Sequence, residues 1–393
     1  MVATNARSIV IVGGGIVGVS TAYFLTRHPM FNSSLHSITL LEASSIAIGS
    51  SGKGGGFIAS WATPKCIAPL SFKLHKELAR DHDGARTWGF RLVYAAEVKL
   101  QATQVGTDIH PPSSGATDHP AALDWLAAEG IKGYNEIGTP ADSGQVHPYL
   151  LTRALAQLAE EKGANIFIGT ARSINYRNSG SDKSVQSVTY TSEAGEQSIE
   201  ATDVLIAAGP WSSRLLPALK LLTPKGHSIV VRSSRALSPY IVFPDIESTS
   251  NLLSPDIYPR PSDSLNDFDT VYSSGPDYYD HPLPEVATDI VVENNKCDDV
   301  WEAVKSVTTD DVSKGDIIMK QACYKAQIRK HEEDEEVGPM VGPLETQGLW
   351  LATGLDEWGI QNGPAAGLVM SEMIMDGKAK SADVAPLDPK RWM

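Results

Sequence analysis

In the N-terminal part of the chain, apolar runs alternate with glycine-rich or polar breaks. Ser8–Val12 is a short run rich in β-branched residues, as expected for a parallel strand buried on both faces. Val19–Arg27 follows with helical spacing, and Ser37–Leu41 is a second apolar run that closes on Glu42. The pattern therefore predicts a strand–helix–strand unit that begins at the eighth residue.

The rest of the chain continues this alternation of helices and strands. The predicted helices are Phe72–Arg91, Ala121–Glu129, Tyr149–Lys162 and Pro364–Met375, and the predicted strands are Asn165–Ile168, Val204–Ala208 and Leu349–Ala352. Val188–Tyr190 and Gln197–Glu200 are expected to form a hairpin. From Ser238 to Pro284 the helical spacing stops, which indicates loops and short strands such as Ile257–Pro261 and Thr270–Tyr272. This order predicts an α/β fold, with a Rossmann-like domain and a second, sheet-rich α+β domain.

Composition narrows the class of protein. The formal net charge is −14, which disfavours nucleic acid and anionic membranes as partners because their phosphates repel such a surface. The three cysteines form no CxxC pair, and the histidines show no HxxxH or HExxH spacing, so we expect neither a disulfide framework nor a metal site. The acidic run Glu332–Glu336 is expected to be solvated. Since no apolar run reaches membrane-span length and no secretory signal pattern is present, the expected compartment is the cytoplasm.

The most informative motif lies between the first strand and the first helix. Gly13, Gly15 and Gly18 have the GxGxxG spacing, which permits a tight turn, a close approach of backbone to a pyrophosphate, and close packing of helix on strand. The helix N-terminus then offers free N–H groups to the phosphates. Glu42 ends the second strand, where an acidic residue binds ribose hydroxyls. These features predict a dinucleotide with a free ribose 2′-hydroxyl, and they leave FAD and NAD open.

Further segments resemble the D-amino-acid oxidase superfamily of FAD-dependent oxidoreductases, which includes glycine oxidase and monomeric sarcosine oxidase. The likeness is carried by Ile9–Gly18, Leu40–Ala43, Gly49–Gly56, Val146–Pro148, Ala207–Ser212 and Gly348–Gly354. The chain is most similar to a fungal branch of poorly characterised FAD-dependent oxidoreductases, through Gly52–Phe57, Tyr258–Pro261 and Trp358–Pro364. The resemblance spans nearly the whole chain and implies FAD as the cofactor. It also implies a discontinuous FAD-binding domain of residues 1–71, 145–225 and 320–393, and a substrate domain of residues 72–144 and 226–319.

Motif and resemblance together imply which residues bind FAD. The glycine-rich loop Gly49–Gly56 would let backbone lie close to the flavin. The last helix is expected to direct its N-terminus at the flavin pyrimidine ring, with Pro364 in its first turn, because free N–H groups there favour the charge of the reduced flavin. The predicted cofactor-binding residues are Gly13, Gly15, Ile16, Val17, Gly18, Glu42, Ala43, Ser50, Ser51, Gly52, Lys53, Gly55, Gly56, Ala208, Gly209, Trp211, Cys323, Gly354, Trp358, Gly359, Ile360 and Gln361.

Members of this family remove a hydride from a carbon next to an amine and usually pass the electrons to oxygen. The resemblance therefore implies a small amine as substrate and an imine as product.

Five residues are candidates for the catalytic face. Lys53 could stabilise the reduced flavin or be a solvent-exposed lysine, and His227 could lie over the cavity or be a structural histidine. Tyr258 and Arg260 point the same way on one strand, and they could bind a substrate anion, form a surface ion pair or pack in the core. Trp358 could face the flavin or pack in the core.

Other positions leave alternatives open. Cys323 lies near the point where sarcosine oxidases attach FAD through a cysteine sulfur, so a covalent bond and simple burial are both open. Gln361 is neutral where sarcosine-oxidase-like chains place a lysine for the substrate carboxylate, and Leu355 stands where related fungal chains carry a histidine. These departures speak against a simple α-amino acid as the substrate and leave a larger or less acidic amine open.

The alternative functions are a dehydrogenase with another acceptor, an alcohol-type oxidase, and a flavin-binding partner protein without catalysis. The sequence leaves the substrate and the oligomeric state undetermined.

Overall fold

The computed structural model describes residues 6–102, 119–180, 182–249, 251–329 and 337–393. The acidic run Glu332–Glu336 lies outside the described residues. The described part forms two large sheets, three small sheets and eight α-helices. The helices are α1 (Ile16–Leu25), α2 (Ala68–Asp81), α3 (Gly84–Trp88), α4 (Pro148–Glu160), α5 (Ser212–Leu215), α6 (Asn294–Lys305), α7 (Asp310–Ser313) and α8 (Gly359–Asp376).

The first large sheet is built around the N-terminal strand. Arg7–Val12 pairs in parallel with its two neighbours, so that Val12 lies between Leu41 and Ile206. The predicted strand–helix–strand unit is therefore confirmed. These strands are buried on both faces, which is why they read as continuous apolar runs. The strand order is Met340–Pro343, Leu349–Thr353, Asp203–Ile206, Arg7–Val12, His36–Glu42 and Ala164–Ile168, with the first of these antiparallel to its neighbour.

Both faces of this sheet are covered. The helices α1, α2, α4 and α8 bury one face in a core that includes Leu25, Leu151 and Met370. The other face packs against a three-stranded sheet, whose strands are Thr170–Ser179, Asp182–Ser192 and Gly195–Glu200. The predicted hairpin is confirmed within it, since Val188 pairs with Ile199.

The second large sheet has seven strands. Its outer face is covered by α6 through Val300 and Val304. Its inner face, defined here as the face that carries Val230, Tyr258 and Tyr272, packs against Phe57 and its neighbours. The strand order is Ile317–Tyr324, Lys225–Arg232, Thr270–Tyr278, Asp256–Arg260, Tyr240–Glu247, Tyr94–Gln101 and Ile131–Gly138.

Two small sheets connect these units. One consists of Phe57–Ala59, Ser143–Gln145 and Arg91–Leu92, and the other of Leu221–Leu222 and Gln327–Ile328. The strand Ile317–Tyr324 crosses the predicted domain boundary between residues 319 and 320. Helix α2 crosses the predicted domain boundary between residues 71 and 72, and it packs in the helical core of the first sheet.

Three predicted helices differ from the observed ones. Phe72–Arg91 is not one helix, because Asp83 adopts a left-handed conformation (φ 52°) that ends α2 and separates it from α3. Ala121–Glu129 contains two 3₁₀ turns instead of an α-helix, because Trp125 and Leu126 turn inward into the core under α6. The last helix begins at Gly359, so that Pro364 lies in its second turn. Among the described helices, none combines the length and apolar character that crossing a bilayer requires.

Candidate cofactor and active site

The glycine turn after the first strand can be built only from small residues. Gly13 has φ +117°, and a Cβ atom there would lie 2.4 Å from the carbonyl oxygen of Ala207. A Cβ on Gly18 would lie 2.0 Å from the carbonyl oxygen of Gly13. Gly15 is the N-cap of α1, which leaves the first N–H groups of this helix facing the turn. The turn therefore brings backbone donors and a positive helix end to one point.

Glu42 closes this turn from the second strand. Its carboxylate accepts hydrogen bonds from the backbone N–H groups of Gly14 (2.7 Å) and Ser44 (3.0 Å). Burial raises the pKa of Glu42, and these hydrogen bonds oppose the rise. The carboxylate is thus held in place beside the position expected for a ribose.

A cleft of about 270 Å³ begins at this turn. Its lining also includes the residues just before α8, so one continuous cleft runs along the carboxyl ends of the strands of the first sheet. A dinucleotide needs a site with glycines, backbone amides, one acidic side chain and few bulky groups. The cleft has these features, so its residues fit FAD. The predicted cofactor residues that line it are Gly13, Gly15, Ile16, Val17, Glu42, Ala43, Ser50, Ser51, Ala208, Gly209, Trp211, Gly354 and Gly359.

The sequence analysis missed the polar rim of this cleft. Arg172 forms an ion pair with Glu285 (2.5 Å), and Arg214 donates to the carbonyl oxygen of the same residue (2.7 Å). Both arginines and Glu285 line the cleft. No sequence signal distinguishes them, because surface arginines are common and their partner lies far along the chain.

The glycine-rich loop packs tightly against α1 and the second large sheet. Ser51 Oγ accepts a hydrogen bond from the N–H of Ile16 (2.9 Å), at the first turn of α1. A Cβ on Gly55 would lie 1.8 Å from the ring of Tyr258. Arg260 is buried and donates from Nη2 to the carbonyl oxygens of Gly54 (2.6 Å) and Gly55 (3.0 Å). Arg260 therefore holds the loop.

Two further glycines of the loop, Gly52 and Gly56, lie against backbone and outside the cleft lining. A Cβ on Gly52 would meet the carbonyl oxygen of Ala47 at 2.0 Å, and one on Gly56 would meet that of Val146 at 1.9 Å. These close approaches explain why the segment tolerates only glycine at these two positions.

Lys53 and Cys323 lie together where the loop meets the inner face. Lys53 Nζ donates to the carbonyl oxygen of Ala322 (2.9 Å), and Gln321 Nε2 donates to the carbonyl oxygen of Lys53 (3.1 Å). Burial lowers the pKa of Lys53. Burial raises the pKa of the Cys323 thiol, and the nearby ammonium groups of Lys53 and Lys325 oppose that rise.

Buried polar side chains form hydrogen bonds that hold the start of α8 in place. Gln361 accepts from the N–H of Ala59 (2.9 Å) and donates to the carbonyl oxygen of Ala68 (3.0 Å), so its side chain points away from the cleft. Pro364 has no N–H for the carbonyl oxygen of Ile360, and His75 Nε2 donates to that oxygen instead (3.0 Å). The sequence analysis missed His75, because its partner is far away and a lone histidine in an amphipathic helix carries no signal.

The candidate catalytic residues are only partly brought together. Tyr258 donates its hydroxyl to Asp256 Oδ2 (2.9 Å) and stacks on Tyr272 on the inner face. Trp358 packs at the start of α8. His227 is not at this site: its ring lies on the outer side, where Nε2 accepts from the N–H of Glu293 (3.3 Å).

Five rings that we call the aromatic cluster lie where Phe57 packs against the inner face. Phe57 is central, with ring centroids 5.7 Å from Trp61, 5.6 Å from Phe243 and 6.3 Å from Trp358. Tyr258 completes the cluster at 5.9 Å from Phe243. Of these five residues, only Tyr258 and Trp358 were predicted as site residues from the sequence. Within the described ranges, no group of three or more His, Cys, Asp or Glu side chains is arranged to hold a metal ion.

Known proteins share this fold and sequence. The chain is 32% identical to protein C1F5.03c of Schizosaccharomyces pombe, over 98% of this chain and 99% of the relative. The structure of glycine oxidase from Geobacillus kaustophilus superposes with a TM-score of 0.68 at 22% identity and covers 98% of both chains. Iminodiacetate oxidase from Chelativorans sp. BNC1 superposes with a TM-score of 0.71 at 17% identity, over 97% of this chain and 98% of that one. Residues 8–373 match the model of the family described as DAO, FAD dependent oxidoreductase. The chain therefore belongs to the DAO family of FAD-dependent oxidoreductases.

Proposed function

We propose that this oxidoreductase removes a hydride from a carbon that bears an amine and gives an imine. The observation that carries the proposal is the cleft that joins the glycine turn, Glu42 and the start of α8. Glycine oxidase and iminodiacetate oxidase, which share the fold, are named for substrates with a carbon–nitrogen bond.

Different residues of the cleft would bind the two ends of the cofactor. The N–H groups in the first turn of α1 other than that of Ile16, which is donated to Ser51 Oγ, would bind the pyrophosphate, and Glu42 would bind the adenosine ribose. The first turn of α8 would face the pyrimidine ring, where its dipole favours negative charge. When bound, FAD supplies a two-electron acceptor for the hydride. Residues 1–71, 145–225 and 320–393 would hold FAD, and residues 72–144 and 226–319 would cover the substrate.

The remaining steps follow from the electrons, protons and atoms that the reaction must balance. The amine loses a hydride and a proton, and water then adds to the imine and releases a carbonyl compound and the nitrogen as ammonia or a smaller amine. We propose oxygen as the final acceptor, which takes up two electrons and two protons and leaves as hydrogen peroxide. Lys53, whose Nζ donates to the carbonyl oxygen of Ala322, would be the cation that favours the reduced, anionic flavin.

We also propose Cys323 as the residue that would carry any covalent bond to FAD. It lies two residues from Gln321, on the inner face beside Lys53, whereas Cys297 is buried under the outer face. Acid precipitation separates the outcomes, because colour that stays in the pellet supports a covalent bond and colour in the supernatant excludes it.

The test of the function is anaerobic mixing of the purified yellow protein with a panel of amines, amino acids and alcohols. Bleaching of the flavin absorption by an amine, followed by reoxidation and peroxide formation in air, is the expected result. Reduction that persists in air would indicate a dehydrogenase with another acceptor, and bleaching by alcohols alone would indicate an alcohol oxidase. Bound flavin that no compound reduces would favour a flavin-binding partner protein.

A further inference from the structure

One wall of the cofactor cleft comes from the part of the chain that was expected to cover the substrate. Glu285, Val286 and Ala287 line the cleft together with the glycine turn that follows the first strand. In the chain, they lie between the strand Thr270–Tyr278 of the second large sheet and α6. We call residues 282–287 the strap. The strap therefore contributes to the cofactor site at residues that the sequence analysis did not assign.

Three side chains from the other side of the cleft hold the strap. Arg214 donates to the carbonyl oxygens of three consecutive strap residues, at 2.7–3.2 Å. Trp211 Nε1 donates to one of these oxygens, that of Pro284 (2.8 Å). Arg172 forms an ion pair with the carboxylate of Glu285 (2.5 Å), and this pairing lowers the pKa of Glu285. These bonds join protein to protein, and none of them needs FAD as a partner.

The strap itself belongs to no sheet ladder. Residues 282–286 lie in no strand or helix. Pro282 and Pro284 lack an N–H and restrict the backbone, so the segment is poorly suited to pairing with a sheet edge. At its first residue, the carbonyl oxygen of Pro282 accepts from the hydroxyl of Tyr324 on the second large sheet (2.9 Å). The strap can therefore leave the cleft when the three side chains release it, without unfolding of either large sheet.

The side chains that hold the strap come from both sides of the glycine turn. Arg214 follows the strand Asp203–Ile206, on one side of the strand that leads into the turn. Arg172 lies on the other side, just beyond the strand Ala164–Ile168, whose end pairs with Glu42. Both arginines bond to the same strap residue. The strap therefore lies at the dinucleotide end of the cleft, where the pyrophosphate and ribose of FAD are expected.

We propose that the strap is a gate for the cofactor: it closes the dinucleotide end of the cleft over FAD, and Arg172, Trp211 and Arg214 have to release it before FAD enters or leaves. Because the bonds that hold the strap are formed within the protein, weakening them accelerates uptake and release alike. The Kd for FAD then changes less than either rate. The gate acts on FAD itself, so it operates whichever substrate the enzyme oxidises.

The test compares FAD uptake by the apo-protein with FAD release from the loaded protein. Uptake is followed by the change in flavin fluorescence, and release by trapping FAD with an excess of a second apoflavoprotein. Where acid precipitation shows a covalent bond, all proteins carry Cys323→Ser so that FAD can leave. Glu285→Gln is expected to raise both rates about two- to fivefold and to leave the Kd within about twofold, because an exposed ion pair contributes little.

A matched control removes a carboxylate from a comparable ion pair elsewhere. Asp83 pairs with Arg86 at 2.7 Å, both side chains are exposed, and neither residue lines the cleft. Asparagine tolerates the left-handed backbone at this position. Asp83→Asn is therefore expected to change neither the uptake rate nor the release rate.

The direction of the Glu285→Gln effect separates the gate from direct binding of FAD by the arginines. If Arg172 were a ligand of the FAD phosphates, loss of its anionic partner would free it for FAD and slow release, and this outcome overturns the inference. An unchanged rate of uptake overturns it as well.

A second variant tests the other main contact of the strap. Arg214→Met removes three hydrogen bonds from a charged donor, so it is expected to raise both rates about tenfold. Arg153→Met, at an exposed arginine of α4 that does not line the cleft, is its control and is expected to change neither rate. Slower uptake together with faster release in Arg214→Met would show a direct contact with FAD and overturn the gate.

Discussion

The contact between His75 and α8 gives a prediction that can be worked out from the structure. His75 Nε2 donates to the carbonyl oxygen of Ile360, the acceptor that Pro364 leaves without its helical N–H. In a Pro364→Ala variant, the new N–H of residue 364 can donate to the same oxygen. The cost of losing His75 should therefore depend on whether residue 364 is proline.

The magnitude follows from the state of the acceptor. In the wild-type background, His75→Leu leaves a buried carbonyl without a donor, which costs about 1–3 kcal/mol beyond any change in packing. In the Pro364→Ala background the helix supplies the donor, and only the packing change remains. The double-mutant cycle should give a coupling free energy of about 1–2 kcal/mol, and effects of proline on the unfolded chain cancel from it.

The measurement is urea-induced unfolding of the four proteins without FAD, followed by circular dichroism at neutral pH. Ser71→Ala, which removes a different contact to α8 (the hydroxyl that accepts from the N–H of Ala365, 3.2 Å), serves as the control. It should cost the same free energy of unfolding with proline or alanine at position 364. A coupling free energy near zero for His75 and Pro364 would show that the reasoning about the missing helical donor is wrong.

Two further predictions concern pH and the glycine-rich loop. Burial lowers the pKa of His75 to about 4 and that of His147 to about 3, so both stay neutral in the folded protein while the unfolded chain binds protons below about pH 6.5. The free energy of unfolding should therefore be fully retained above about pH 6.5 and fall with acidification, by up to about 1.4 kcal/mol per pH unit for each histidine. His75→Leu should make this fall shallower. An unchanged dependence of the free energy of unfolding on pH in this variant, measured by urea titrations, would contradict the prediction. Gly55→Ala should cost at least about 2 kcal/mol of stability and lower the FAD content, because its Cβ would overlap the buried Tyr258 ring at 1.8 Å, whereas Gly54→Ala meets nothing closer than 3.8 Å. Equal thermal stability and FAD content of these two variants would refute that reasoning.

The errors of the sequence analysis have identifiable physical causes. His227 was considered for the cavity, but its strand places the side chain on the outer face, and nothing local indicates which face of a strand will be covered. The break at Asp83 depends on one residue in a left-handed conformation, which helical spacing does not reveal. The early start of α8 is stabilised by Gln361 and His75 through partners far along the chain.

What the sequence by itself determined was the dinucleotide site and the fold class. The strand, the GxGxxG turn, α1 and Glu42 lie within one short stretch, and their periodicity and glycine geometry are local properties that a sequence expresses directly. Only the tertiary structure decided which rings form the aromatic cluster. Phe57, Phe243 and Trp358 come from distant parts of the chain, and the internal partners of Lys53 and Arg260 exist only after the chain has folded. Charge that is free for a ligand is a property of the folded arrangement, because pairing across long sequence distances leaves no local pattern.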